Sequence, residues 1–374
     1  MIWSGTNSYA TFLVGWEDSR NYATSQYDPY VRAVGANSDV LFLGTERPVA
    51  TDAGSDSAPA FAMVPGSGLA LAVYSDWTSA DGYVLRYRPV IVSGLELGFN
   101  TDPATFGVGG EVGVGYAAGR YLAAFTDASD VYAQPFDLAM TPGGRSLVAR
   151  GANKEQAPTV TFGGGYFLVA WEDYRNPGGS ADIYAARVVA SGYTPSLVDP
   201  SGLAIATGTS AQTSPVAAFG GNTFYVAWRD GVAGAAVGRP LSLGGGLGNP
   251  AVLRPGGASS VGTLAIDFDG SNFFVASGEN TSAPWGWHVH GQRVSPGGAL
   301  VGGVIDVASP EPLYGIGRIR TDALAGAHLV VWSGTSNLDD GDNVVRKALV
   351  SATGAVSQLD YVRPYDAAGD FYDV

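Results

Sequence analysis

The stretch Tyr166–Gly192, YFLVAWEDYRNPGGSADIYAARVVASG, decides the fold. Its first part, YFLVAW (Tyr166–Trp171), is a short apolar run of aromatic and β-branched residues preceded by Gly163–Gly165. A run of that length and make-up is a strand rather than a helix. The EDYRNPGGSA that follows is turn chemistry, since its Asn-Pro-Gly-Gly would break any helix. DIYAARVV (Asp182–Val189) resumes strand character, and Ser191–Gly192 end it. Upstream, Ala157–Phe162 (APTVTF) is a further strand joined to YFLVAW by the glycine turn. The unit is therefore a run of neighbouring antiparallel strands joined by short turns.

Degenerate copies of this unit recur along the chain. Counterparts of the WED strand begin at Phe12 (FLVGWED), Ala70 (ALAVYSD), Tyr121 (YLAAFTD), Phe167 (FLVAWED), Phe224 (FYVAWRD), Phe273 (FFVASGE) and His328 (HLVVWSG). Successive starts lie 46 to 58 residues apart, and counting from His328 through both chain ends back to Phe12 closes a seventh interval of 58. Nothing is left over for a second domain. The motif Asp182-x-Tyr184-x-x-Arg187 has a gapless match in Asp81-x-Tyr83-x-x-Arg86, and its Asp and Arg read as a repeated ion pair. In the sixth copy His288 and His290 take the Asp and Tyr places ahead of Arg293. Seven units, four strands in each and about fifty residues per unit predict an all-β chain. The expected fold is a seven-bladed β-propeller with four antiparallel strands per blade, one domain over residues 1–374. Met1–Trp3 and Asp370–Val374 read as incomplete inner strands that complement each other in blade one.

The WED and DIYxxRV repeats resemble those of secreted bacterial propeller proteins. That resemblance implies the fold and an extracellular or periplasmic location, and it implies no activity, because propellers carry many. No signal peptide is visible at MIWSGTNS.

Composition narrows the partners. A net charge of −14, with Lys154 and Lys347 the only lysines, argues against nucleic acid and anionic membrane surfaces. No apolar run is long enough for a membrane span. The absence of cysteine removes disulfides and thiolate metal sites.

In a propeller the strands of a blade alternate in direction. Loops after the WED strand and segments just before each inner strand should therefore share one face, around the channel mouth. Function on a repeat scaffold concentrates where repeats differ. The candidate ligand-binding residues on that face are Glu17, Arg20, Trp77, Glu172, Arg175, Arg229, Trp285, Trp287, Asp339 and Asp340. Beside them, ahead of the inner strands, come Asp56, Glu111, Lys154, Glu155, Gln156 and Gln212. Trp16, Trp171, Trp228 and Trp332 recur at one strand position and are expected between blades. Trp77, Trp285 and Trp287 break the repeat, so they either meet a ligand or pin their loops. Long loops in blades six, seven and one should wall a groove whose low side lies over blades two and three.

His288 and His290 are two apart on a strand and face the same side. They can chelate a divalent metal with Glu279 or a neighbouring blade as third ligand, or they can simply pack. His328 replaces a recurrent Phe and reads as structural. LDDGDN (Leu338–Asn343) lacks the ligand alternation of a calcium loop, and DFDG (Asp267–Gly270) falls where other copies have hairpin turns. GVGGEVGVG (Gly107–Gly115) is followed by a strand, which removes the helix a phosphate loop needs. There is no GxSxG and no HExxH.

Two classes of function fit. One is a recognition module, carbohydrate-binding or a protein-interaction scaffold, taking a glycan or an extended peptide on the loop face. The other is a polysaccharide lyase or hydrolase. Hydrolysis calls for paired carboxylates among Glu17, Glu111, Glu155 and Glu172. A lyase would draw its base from His288 or His290.

Overall fold

The structure is a computed structural model. It describes residues 10–18, 27–36, 41–51, 55–57, 59–78, 82–99, 101–151, 153–176, 178–231, 234–256, 259–282, 285–311, 313–324, 326–336 and 343–361. These residues form seven antiparallel sheets, and the chain is a seven-bladed β-propeller, mostly with four strands per blade.

The chain divides into two compact units. One comprises residues 1–37, 41–175 and 184–203, the other residues 38–40, 176–183 and 204–374. The first three blades belong to the first unit. Blade one shows Ala10–Asp18, Asp28–Ala36 and Leu41–Pro48. The terminal segments expected to supply its inner strand lie outside the described residues. In blade two, Ser55–Asp56 and Ala60–Val64 both pair with Leu69–Thr78, which pairs with Gly82–Ser93. Glu96–Gly98 and Ala104–Val108 complete it, both on Gly82–Ser93. Blade three runs Val112–Ala117, Arg120–Asp127, Asp130–Phe136 and Ser146–Ala149.

Blade four runs Glu155–Gly163, Tyr166–Asp173 and Asp182–Val189, with Ser196–Leu197 and Leu203–Ala206 outside them. In the second unit, blade five is Gln212–Gly220, Thr223–Asp230, Ala235–Ser242 and Ala251–Arg254. Blade six is Ser259–Phe268, Phe273–Ser282, Trp285–Val294 and Leu300–Glu311. Blade seven is Leu313–Leu324, Ala327–Ser336, Asn343–Ser351 and Val356–Tyr361.

Each blade holds one WED counterpart, in the first described strand of blade one and, in blades three to seven, in the second strand; in blade two it is Leu69–Thr78, which both inner segments pair with. Such a strand is flanked by two others and covered on both faces, so it reads as a continuous apolar run instead of alternating. Phe167–Asp173 is buried throughout. Within each unit, cores lie between consecutive blades. Trp171 packs with Leu122 and Val131 of blade three and with Ala186 of its own blade. Trp332 packs with Phe274 and Val289 of blade six. The recurrent tryptophans are thus packing residues, as their spacing predicts.

The motif ion pair is not formed as expected. Arg187 pairs with Asp199 at 2.6 Å, and Arg86 pairs with Asp76. Asp182 instead accepts the Gly208 amide at 3.2 Å and the Asn176 side-chain amide. Asp182 and Arg187 are five apart on one strand, so their side chains leave opposite faces of the sheet. His328 is buried, stacks on Phe274 at 4.4 Å and holds Nδ1 2.8 Å from Asp267 Oδ1. DFDG is a hairpin turn, with Asp269 Oδ1 accepting the Ser271 and Asn272 amides at 2.7 Å. Gly107–Gly115 spans two strands and no helix.

Candidate functional site

Strand register assembles the candidate face. Asp56 sits opposite Asp76, Glu155 opposite Asp173, and Gln212 opposite Asp230. The start of each of these inner strands therefore lies beside the end of its WED strand, and residues far apart in sequence share one end of the blade.

In the first unit that end is built on clamped carboxylates. Asp76 is fully buried and takes a 2.5 Å hydrogen bond from Arg86 Nε. Asp127 pairs with Arg145 at 2.7 Å, whose guanidinium lies 4.5 Å over the Tyr132 ring. Asp173, also fully buried, is gripped by Arg175 through Nε at 2.7 Å and Nη2 at 2.6 Å, and by the Trp171 indole N–H at 2.9 Å. Arg175 in turn covers the Tyr184 ring at 3.9 Å and donates to the Ser201 carbonyl at 3.1 Å. The WED tryptophan and aspartate of blade four are therefore one structural device, and Arg175 closes it.

Glu155 is the odd member of this layer. It is fully buried; Oε2 accepts the Gly151 amide at 3.0 Å, and Oε1 has no partner. Burial, then the neighbouring Asp173 charge, push its carboxyl up to about 7, with Asp130 adding to the rise. The Gly151 amide and Arg175 oppose that rise. Just beyond it the ladder slips between Gln156 and Thr159, and Ala157 takes a left-handed φ of 51°. Blade five repeats the slip, with Ser214 at φ 55°, and places Gln212 where blade four has Glu155.

A pH test follows from that comparison. The folded state holds a proton on Glu155 up to about pH 7, whereas the ordinary value is 4.5. Its contribution to stability is complete below pH 4.5 and is lost as pH rises towards 7. Glu155→Gln supplies the neutral group that blade five already uses. The variant should be more stable at pH 8 by about 1–2 kcal/mol, solvent screening reducing the full linkage value, and equal to wild type near pH 4. Urea unfolding across that range checks it; a constant difference at all pH values would refute the reading.

Beside this layer stand exposed aromatics. Trp77 is 40% exposed and faces Tyr83, 56% exposed, across the strand pair of blade two. Directly opposed residues project from the same side of a sheet. Tyr27, 38% exposed, immediately precedes Asp28–Ala36, the second described strand of blade one, its carbonyl accepting the Asp56 amide at 2.8 Å. Glu111 is exposed and accepts the Ala157 amide at 2.6 Å. Glu172 is buried, with Gln156 donating to it at 2.8 Å and Tyr174 at 3.3 Å. Glu17 is half-buried, opposite Pro29.

The second unit carries a different cluster. Glu279 is fully buried beneath a bidentate clamp from Arg254, at 2.6 and 2.7 Å, with Ser277 donating at 2.7 Å. His290 Nδ1 lies 3.3 Å from Glu279 Oε2, the oxygen that Arg254 Nη2 also reaches. Burial alone pushes Glu279 up, but the hydrogen bonds from His290, Arg254 and Ser277 outweigh it and bring the carboxyl down to about 2. His288 and His290 stack with centroids 5.6 Å apart and rings 4° from parallel. Among the described residues no group of three His, Cys, Asp or Glu is placed to hold a metal ion. Trp287 is half-buried and packs on the core between blades six and seven, and Arg229 is half-buried opposite Thr213. Trp285 lies in a strand, but its side chain is outside the described residues, as are Arg20, Asp339 and Asp340. The blade-six loop of the sequence reading is largely strand: the ladder runs on to Ser282 opposite Trp285. The loops at 19–26 and 337–342 lie outside the described residues.

No protein-family model matches the sequence, and no curated protein matches it significantly. Among solved structures it is similar to the one described as YjhT, at 8% identity and a TM-score of 0.51, over 80% of this chain and 97% of that one. It is also similar to a subtype N11 neuraminidase-like protein (H18N11, flat-faced bat), at 8% identity and a TM-score of 0.49, over 79% of this chain and 87% of that one. A third is an exo-1,5-alpha-L-arabinanase from a bovine ruminal metagenomic library, at 14% identity and a TM-score of 0.42, over 67% of this chain and 95% of that one. At these identities the likeness is one of fold.

Tyr27, Tyr83 and Arg254 are site residues that the sequence reading passed over. Tyr83 occupies a repeat position whose counterpart Tyr184 lies under an arginine, so only the missing cover marks it out. Arg254 belongs to no motif; only the packing of a blade-five strand end on blade six brings it to Glu279.

Proposed function

We propose that this protein is a recognition module that binds a neutral glycan on the loop face of blades one and two. The observation that carries the reading is the exposed aromatic set Trp77, Tyr83 and Tyr27 beside a buried, arginine-clamped carboxylate layer. Flat aromatic faces left in water suit the apolar faces of sugar rings, and their hydroxyl and indole N–H groups suit sugar hydroxyls. The rigid layer below holds them in place at little entropic cost on binding. A net charge of −14 favours a neutral chain over an anionic polymer. The hydrolase reading is weaker because two of its candidate carboxylates are already engaged, Glu111 by the Ala157 amide and the buried Glu172 by Gln156 and Tyr174. An extracellular or periplasmic location belongs to the same proposal.

A glycan array with and without chelator identifies the ligand, and calorimetry on the best hit measures each variant. Trp77→Ala and Tyr83→Ala should each weaken binding by about 1–3 kcal/mol, as anchor residues do, and leave melting unchanged. Array silence, or full affinity in both variants, rules the glycan reading out. Binding of an extended peptide at the same residues would redirect it to the protein-interaction alternative.

A further inference from the structure

Blade six contains a serine and a histidine whose placement the recognition reading does not use. Ser309 lies near the end of Leu300–Glu311, the outermost strand of the blade. There the ladder to Trp285–Val294 slips twice, between Trp287 and Val289 and again between Val289 and His290. Bulges of this kind re-aim side chains, and they recur beside active sites. Here the irregular stretch brings the Ser309 hydroxyl into hydrogen bonding with His288 Nδ1.

The two partners differ in exposure. Ser309 is open to water, whereas the imidazole of His288 is buried. Its ring is fixed by the parallel stack on His290, and His290 is fixed by Glu279, which Arg254 and Ser277 hold in turn. A nucleophile at the surface, a base behind it and an orienting carboxylate further back follow the general logic of activated serines. The titratable groups around His288 are His290, Asp306, Glu279 and Arg254. Burial first, then His290, lower its basicity against the opposing pull of Asp306 and Glu279. That lowering favours the neutral ring, and in the tautomer that carries its proton on Nε2 the Nδ1 lone pair faces the serine hydroxyl.

We propose that Ser309 and His288 form a nucleophilic dyad that accepts an acyl group from a small ester. In the first step the hydroxyl proton passes to Nδ1 while Oγ bonds to the carbonyl carbon. The ester C–O bond then breaks, and the departing alkoxide takes the proton back from Nδ1. Water attacks the acyl-serine by the same route, giving a carboxylic acid and the free hydroxyl, so no further reactant is required.

The test is covalent labelling of the full chain with a fluorophosphonate, read by peptide mass spectrometry, together with p-nitrophenyl acetate turnover. Ser309 should label at least about ten-fold faster than any other serine, general-base assistance being worth that much or more. Ser309→Ala should abolish both signals without changing the melting temperature. His288→Gln should lower them by a similar factor. Should that variant fold poorly, the wild-type pH profile reads the same point: labelling should follow one ionisation with its midpoint below 6.5, the ordinary histidine value. Labelling of Ser309 no faster than of other serines, or a rate indifferent to pH through that range, overturns the dyad.

Discussion

Arg254→Ala is expected to destabilise the fold by about 3–5 kcal/mol at neutral pH, the usual cost of stripping one partner from a buried ion pair. Glu279 has no exposure to water, and Arg254 supplies two of its hydrogen bonds. With the guanidinium gone, Ser277 and His290 remain, which is too little to offset a desolvated charge. The pH dependence separates this mechanism from simple loss of packing. In the wild type Glu279 sits near 2 against an ordinary 4.5, so its contribution is present above pH 4.5 and lost as pH falls towards 2. In the variant the carboxyl rises, and protonation relieves the penalty. The gap between variant and wild type should therefore be widest at pH 7 and narrow markedly by pH 4. Denaturant melts at the two pH values check it. A gap that is constant with pH would assign the loss to packing alone.

Trp171→Ala should cost a comparable amount, about 3–5 kcal/mol, as large-to-small changes of buried aromatics do. The indole is fully buried between blades three and four, stacks on Tyr184 with centroids 6.4 Å apart and abuts the Gly202 backbone. Its removal opens a cavity and also takes a donor from Asp173. Trp171→Phe divides the two effects. It keeps most of the apolar volume but loses the N–H, and Arg175 still clamps the carboxylate. Its cost should be about 1–2 kcal/mol, the range for a lost hydrogen bond to a buried charged group plus a modest volume change. Equal losses in the two variants would mean that the hydrogen bond to Asp173 within blade four, not the packing against blade three, carries the contribution of Trp171.

These two effects mark the boundary between what the sequence by itself determined and what tertiary structure decided. The fold was legible because each blade repeats one apolar signature. YFLVAW is a run only a doubly covered strand can bury, and the glycine turn and the NPGG that bracket it set its ends. Seven copies at near-constant spacing left one architecture, and the recurrence of Trp16, Trp171, Trp228 and Trp332 marked them as packing residues.

The site was legible only in part. Trp77 stood out because it breaks the repeat, and it is indeed exposed. Tyr83 did not, because it obeys the repeat; its exposure depends on what fails to cover it, which is a property of neighbours. The partner of each carboxylate was illegible for the same reason. Asp182 and Arg187 share a motif but not a face, whereas Arg254 and Glu279 share no motif and meet through the packing of a blade-five strand end on blade six. Local sequence sets strand propensity and the alternation of side chains, because those follow from backbone geometry within a few residues. Which buried charge meets which, and whether Glu155 keeps its proton, depends on dielectric and distance across segments remote in sequence. Only the assembled blades define those.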